Sequence, residues 1–281
     1  MKTISDNAPR LYNRTRETDD FLHRFRESFR FDLVFLLKVL QTSDLAKEGI
    51  LNSGSFRFTD HIYRNEPSGG NLLGHWLDRL FLSLPSTRAM RCRFLNARDA
   101  ILQAAPINHD VERIEILTVP CGIPRDYAEA VKVLYRSNPN VAGRIQYTGL
   151  DLDPEAIEEA KELLGLQPNV RFVQGDALEP RYFPANRFHC VCSTGLGEFL
   201  SDEDLLLFYS NIFQSVAPGG LFYTSALRAG HFAAALMETF ELRATYRTRD
   251  QVRDILSRLS WSQLRFVEDS SGLQTYVYAR K

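Results

Sequence analysis

The sequence predicts a layered α/β fold: a mostly parallel β-sheet flanked by helices, finished by an antiparallel strand and preceded by a helical segment. Three observations carry this. From Ile114 onward, short β-rich runs alternate with stretches of helical period, the pattern of βαβ units. The last two β-rich runs, 263–267 and 273–279, are joined through Asp269, Ser270, Ser271 and Gly272, a hairpin signal. Ahead of Ile114 the apolar residues recur mainly at three and four, which is helical spacing.

The elements follow in order. Thr18, Asp19 and Asp20 can cap a helix from Phe21 to about Lys47, with Phe21, Leu22, Phe25, Phe29, Val34, Leu37 and Leu40 along one stripe. Gly49, Asn52, Ser53 and Gly54 mark a turn region. Ser68, Gly69, Gly70 and Asn71 open a second helix, carrying Leu72, Leu73, Trp76, Leu77, Leu80 and Phe81. Pro85, Ser86 and Thr87 start a third, which is expected to end before Pro106. The alternating part then predicts strands at 114–119, 145–150, 170–173, 188–192 and 221–225. Helices are expected at 124–136, 154–164 and 202–216, and a last one at 248–259 before the hairpin.

Composition excludes several classes. The 281 residues carry 34 basic and 35 acidic side chains, a net charge of −1. A dedicated nucleic-acid binder shows a clear basic excess, so none is expected here. Residues 1–112 carry a net +2 and the rest a net −3, so neither part is basic enough alone. No apolar run reaches the roughly 20 residues a membrane helix needs. Four cysteines in a chain of this length are no disulfide scaffold, and the absence of a signal-like leader points to a cytoplasmic address. No metal site is expected. Cys190 and Cys192 alternate along one strand and face the same way, as core residues do. Arg88, Arg91, Arg93 and Arg98 are expected to form a solvated helix face.

In an open parallel sheet, ligands bind at the carboxyl ends of the strands, near the point where strand order reverses. The first strand is followed by Thr118, Val119, Pro120, Cys121 and Gly122. Gly122 allows close backbone approach, and the same segment also serves as a plain strand-to-helix turn. The second strand leads into Asp151, Leu152 and Asp153. A carboxylate there can accept both hydrogens of a ribose diol, while Asp153 before Pro154 is a helix cap. The third strand ends at Gly175, Asp176 and Ala177, where an acidic side chain can receive an adenine amino group or simply close a turn. The fourth is followed by Ser193, Thr194, Gly195, Leu196, Gly197 and Glu198. Each signal is modest alone, and their order is more specific.

With these residues in hand, the chain resembles a class I S-adenosylmethionine-dependent methyltransferase. The motifs are ILTVPCGIPRD, YTGLDLDPEAI, RFVQGDALE, FHCVCSTGLGEFL and VAPGGLFYTSAL, spanning roughly residues 114–227. More narrowly, the chain resembles bacterial small-molecule methyltransferases with an N-terminal helical cap. The resemblance implies a Rossmann-like sheet with a reversed last strand, a helical cap over 1–112 and a cofactor-binding core over 113–281. It implies that Thr118, Pro120 and Gly122 line the methionine part of S-adenosyl-L-methionine. Asp151 would bind the ribose, Leu152 would pack on adenine, Asp176 and Ala177 would hold its edge, and Thr194 and Gly195 would border the methyl group. The chain departs from the family pattern at Thr118, Pro120, Pro124 and His189.

Methyl transfer from a sulfonium is an in-line displacement, so alignment is the main demand on the protein. His231 is the candidate general base and Glu198 the group that orients a hydroxyl, against packing and helix-start roles for the same residues. Arg228 could hold an anionic substrate, and Tyr12 could touch the cofactor from a lid. The expected partner is a small-molecule acceptor, without nucleic acid or membrane, and a homodimer is compatible with the sequence. Two other readings remain open: a nucleoside-binding regulatory module, and aminopropyl-type transfer from a related sulfonium.

Overall fold

The computed structural model describes residues 39–51, 55–107, 111–165, 167–228 and 244–281. Described residues up to Met90 form one compact unit, and those from Arg91 onward form another.

The first unit is helical: α1 (Asp44–Leu51), α2 (Phe56–Arg64), α3 (Leu72–Leu82) and the start of α4 (Pro85–Ile107). The long first helix expected from the sequence does not run through to Lys47. The chain turns at Gln41–Ser43, where the Thr42 hydroxyl and N–H both bond Val39 O, and the Ser43 hydroxyl then caps α1 by accepting the Ala46 N–H. Two consecutive hydroxyls offer the backbone an alternative to helix, which the apolar period does not register. The part of that helix before Val39 lies outside the described residues. Helix α2, unforeseen, is capped by Ser55 and closed by Asn65 in the left-handed region. Helix α3 starts as expected, with Asn71 accepting the Gly74 N–H at 2.8 Å. Leu45, Ile62 and Leu82 form this unit's small core.

Asp78, fully buried on α3, ties these helices together. Its Oδ1 accepts the Ser43 hydroxyl at 2.5 Å and the Leu45 N–H at 3.2 Å. Its Oδ2 accepts the Ser68 and Gly69 N–H groups at 2.9 and 2.8 Å. Burial alone would raise its pKa. The bonds from Ser43, Ser68, Leu45 and Gly69 outweigh that and leave it below the ordinary 3.8.

The second unit is built on a seven-stranded sheet: β1 (Ile114–Thr118), β2 (Ile145–Asp151), β3 (Val170–Gln174), β4 (Phe188–Ser193), β5 (Val216–Leu227), β6 (Gln263–Glu268) and β7 (Gln274–Arg280), in the order β3-β2-β1-β4-β5-β7-β6. Strands β1 to β5 pair in parallel, and β7 runs antiparallel to both β5 and β6. The hairpin forms as expected, but its second strand inserts next to β5 and leaves β6 at the edge. The reason lies in the two sequences. The strand QTYVYAR is buried almost throughout, whereas QLRFVE alternates with exposed charged residues suited to an edge. Strand β5 is longer than foreseen because Val216 already pairs with Phe188, and the register then shifts across the Pro218–Gly220 segment.

Helices α5 (Arg125–Ser137), α6 (Pro139–Ala142), α7 (Pro154–Leu164), α8 (Asp202–Ser215) and α9 (Arg249–Leu256) connect the strands. One face of the sheet packs with Ala97–Ala105 of α4 and Tyr127–Leu134 of α5, and the other with α8 and α9. Helix α4 continues through Pro106 to Ile107. Pro106 forfeits one bond of the ladder, and the helix ends one residue beyond it. No helix among the described residues is long and apolar enough to cross a membrane.

Asp78→Ala should lower stability to urea unfolding by about 2–4 kcal/mol, because four donors lose a buried acceptor. Because the folded pKa is depressed, Asp78 contributes stability above the ordinary carboxylate value and loses it as pH falls through the folded pKa. The destabilisation in the variant should therefore shrink in acid.

Candidate functional site

Strand order reverses between β1 and β4, because β2 and β3 lie to one side of β1 while β4 and β5 lie to the other. The residues expected at the site stand at the carboxyl edge of the four strands flanking this point. Thr118 is the last residue of β1, with Pro120 and Gly122 in the turn that follows. Asp151 ends β2 and Leu152 follows it. Asp176 and Ala177 follow β3, while Thr194 and Gly195 follow β4. The topology thus brings these nine residues to one crevice edge. His231 and Tyr12 lie outside the described residues.

The turn after β1 is held on both sides. Val119 N–H donates to Cys192 O on β4, and Cys121 N–H donates to Leu150 O on β2. Gly122 sits at φ +46 and donates its N–H to Asp151 Oδ2 at 2.8 Å. The other oxygen of Asp151 accepts the Asp153 N–H at 3.0 Å. A carboxylate has about four acceptor positions. The Leu152 N–H and the Cys121 thiol also act on this carboxylate, so a diol would share its acceptor positions with them. Asp151 is only 4% exposed. Burial raises its pKa, and the bonds from Gly122 and Asp153 partly offset that rise. Next to it Leu152 is 54% exposed, an apolar surface at the crevice edge on which a flat base can rest. Asp153 caps α7 through the Glu155 N–H, as expected.

Asp176 is partly buried, and its Oδ1 accepts the Leu178 N–H at 2.9 Å. Gly175 has no room for a side chain, since a Cβ there would come within 2.2 Å of the Tyr182 ring. Gly195 sits at φ +85, with the Arg93 guanidinium 3.4 Å from where its Cβ would be.

Around Glu198 the structure differs from the sequence expectation. Arg93 is not on a solvated helix face. It is 6% exposed and faces Glu198 Oε1 at 3.5 Å. Glu198 is itself buried, and burial pushes its carboxyl pKa up while Arg93 and Arg247 draw it down. Arg247, unforeseen, donates to the Gly197 and Leu200 carbonyls at 2.6 and 2.7 Å and pairs with Asp202. It fixes the loop between β4 and α8 from within. No spacing in the sequence signals this, because Arg247 is 49 residues from Glu198. Arg228 is paired with Glu268 at 2.7 Å. At the far end of β5, the Ser225 hydroxyl and Gln274 Oε1 are buried without a hydrogen-bond partner, on the face that Tyr223 and Tyr276 share.

Among the groups at the β1 turn, burial pushes Cys121 up, reinforced by the charges of Asp151 and Asp126. Burial likewise raises Asp126 to about 6, which the bonds to its carboxylate lower and the Glu129 charge raises further.

The seven-stranded sheet with its last strands antiparallel is the fold of solved methyltransferase structures. Residues 128–220 match the family model for a methyltransferase domain. The uncharacterized protein YnbC of Escherichia coli (strain K12) is 26% identical over 170 residues, covering 59% of this chain and 28% of that protein. The chain thus spans less than a third of the curated relative it matches. A solved structure from Bordetella parapertussis, described as a possible exported protein, is 24% identical with a TM-score of 0.73, over 88% of this chain and 86% of that one. The CurJ carbon methyltransferase shares the fold at 18% identity and a TM-score of 0.57, over 86% of this chain and 65% of that one.

The raised Asp126 carboxyl has a measurable consequence. The unfolded chain releases this proton near 3.8, whereas the folded chain keeps it to about 6. Folding therefore takes up a proton in that window, and stability should fall as pH rises from 3.8 to about 6, then level off. Thermal melts of Asp126→Asn across the same range should lack that slope. An identical slope in variant and native protein would assign it to another group.

Proposed function

We propose that this chain is an S-adenosylmethionine-dependent methyltransferase that acts on a small-molecule acceptor. The observation that carries the proposal is the Asp151 carboxylate. It is buried and bonded to two turns at the carboxyl end of β2, with exposed Leu152 at its side. This suits a ribose diol with a flat base beside it. Asp176 and Ala177 stand where the edge of that base would lie. Thr118, Pro120 and Gly122 stand where the rest of the donor would extend, toward Thr194 and Gly195. These residues fit the donor expected for the family. When bound, it would supply an electrophilic methyl group on a positively charged sulfur.

The chain's own task is then positional. The Gly122 turn is held by β2 and β4 and does not have to order on binding. The Glu198 loop is fixed by Arg247, so a polar acceptor group near Gly195 would meet a rigid wall. Glu198 is the group of this loop suited to orient an acceptor hydroxyl or amine, because burial favours its protonated form and Arg93 favours its charged one. Ser225 and Gln274 offer further unspent polar atoms one strand away. Together they favour a compact acceptor with polar groups over a polymer.

Calorimetry with S-adenosylmethionine and S-adenosylhomocysteine tests the proposal. Both should bind, and Asp151→Ala should weaken binding by about 1–3 kcal/mol, roughly 5- to 150-fold. Loss of binding to neither ligand on that substitution would remove the ribose assignment. No binding of either ligand to the native chain would end the methyltransferase reading. Product analysis would separate methyl from aminopropyl transfer.

A further inference from the structure

Helix α3 carries two apolar stripes, and its own unit uses only one of them. The first runs through Gly74, Leu77, Asp78 and Leu82, all buried. Gly74 packs so closely on the Thr42 carbonyl that a Cβ would overlap it. The second stripe is Leu72, Leu73, Trp76 and Leu80, which are 93%, 48%, 59% and 45% exposed. These four cover about 100° of the helix circumference, the width of a stripe that ordinarily faces a core. Elsewhere among the described residues, exposed large apolar side chains stand singly or, like Val133 and Tyr135, two apart on a helix and so on different faces.

Scattered apolar residues on a surface need no explanation, but a contiguous group does. The four side chains expose on the order of 500 Å², at the upper end of what a monomer leaves in one patch. Two such faces placed together would remove about 1,000 Å² from water, the lower bound of a specific interface. The spacing says what kind of face fits. Leu72, Trp76 and Leu80 lie four apart, a row that forms a packing ridge and reads the same in both directions from Trp76. The stripe has one charged neighbour on its arc, the exposed Arg79. Arg79 stands three residues after Trp76 and Leu73 three before it. In an antiparallel pair centred on Trp76, the two arginines therefore lie at opposite ends. Each aliphatic stem can cover the other copy's Leu73 and leave its guanidinium at the rim.

We propose that this face of α3 is the seat of a second copy of the chain, in a two-fold dimer whose α3 helices run antiparallel across Trp76. The arrangement is isologous, so it closes on itself and exposes no further copy of the stripe. Rows of residues four apart interdigitate when helices cross at about 50°, which brings Leu72 of one copy to Leu80 of the other. Trp76 stands at the centre, where a large aromatic carries the greatest share of an interface's binding energy. The proposal does not depend on the donor or on the chemistry of the crevice.

Sedimentation of the full chain from about 1 to 500 µM tests this, a range that reaches the weak end expected of so small an interface. The native chain should pass from a 32.2 kDa monomer to twice that mass as concentration rises. Trp76→Glu should weaken self-association about 30-fold or more, and Leu72→Gln by a smaller factor. Both positions are exposed, so the variants should match the native chain in circular dichroism and melting temperature in dilute solution. A short thiol cross-linker should join Trp76→Cys to itself beyond the level of the native chain. In a mixed sample it should join Leu72→Cys to Leu80→Cys more than it joins either to itself. A native chain that stays monomeric throughout would overturn the proposal. Acrylamide quenching of Trp76, read against Trp76→Phe, would then show the face to be free or covered within the chain. A monomer that binds phosphatidylglycerol vesicles, and loses them in Trp76→Glu, would give the face to lipid instead. A dimer that Trp76→Glu leaves unchanged would place the interface elsewhere.

Discussion

The bond from Gly122 N–H to the Asp151 carboxylate is the constraint on which the crevice depends. It joins the turn after β1 to the turn after β2, and the second Asp151 oxygen then holds the start of the α7 turn through Asp153. One side chain thus sets the spacing of the ends of β1 and β2 across 29 residues of chain. Gly122 suits this because its positive φ turns the N–H toward β2, a conformation that a larger residue resists. The cost is a buried carboxylate, whose pKa rises despite two backbone donors. A ligand that adds hydrogen bonds to the charged form would offset part of that cost, so structural and binding roles reinforce each other.

A second fixed point lies across the switch, at the loop after β4. Arg93 and Arg247 approach Glu198 from α4 and from the segment before α9. Buried ion pairs of this kind are weak sources of stability, because desolvation consumes much of the attraction. They are strong sources of specificity in geometry, since either charge left alone in the interior is costly. Arg247 also satisfies two loop carbonyls that would otherwise be buried without donors. The crevice is therefore bordered on one side by a carboxylate that accepts from backbone and on the other by a guanidinium that donates to it.

Most of the sheet was legible because its signals are local. Apolar runs at 114–118, 145–151 and 188–193, each ended by turn residues, mark strands without reference to anything distant. The positions of the residues at the carboxyl edge were legible for the same reason, since each ends or closely follows a strand. What escaped the sequence is tertiary. Arg93 reads as one of four arginines on a helix, and only its distance to Glu198 removes it from solvent. Arg247 has no motif around it. Helix α2 is short and mixed, and two capping residues define it more than its apolar pattern does. The break at Thr42 and Ser43 was hidden because hydroxyl side chains compete with a helix locally while the apolar period continues past them.

Asp126 shows the same limit from the other direction. In the sequence it is an ordinary acidic residue at a helix start, the position that the helix dipole favours. Folding places it against β1, β2 and β4 at the one point where three strand ends converge. Its charged neighbour there is Glu129, of the same sign. Asp151 and Asp126 are thus two carboxylates on either side of the Gly122 turn, with opposite local supplies of hydrogen. Asp151 is met by backbone donors from two turns, which offset part of the rise that burial causes. Asp126 has the Tyr127 N–H and its own backbone to set against burial and Glu129, and its carboxyl rises to about 6. One turn of backbone therefore separates two carboxylates that differ in how many donors the fold assigns to each.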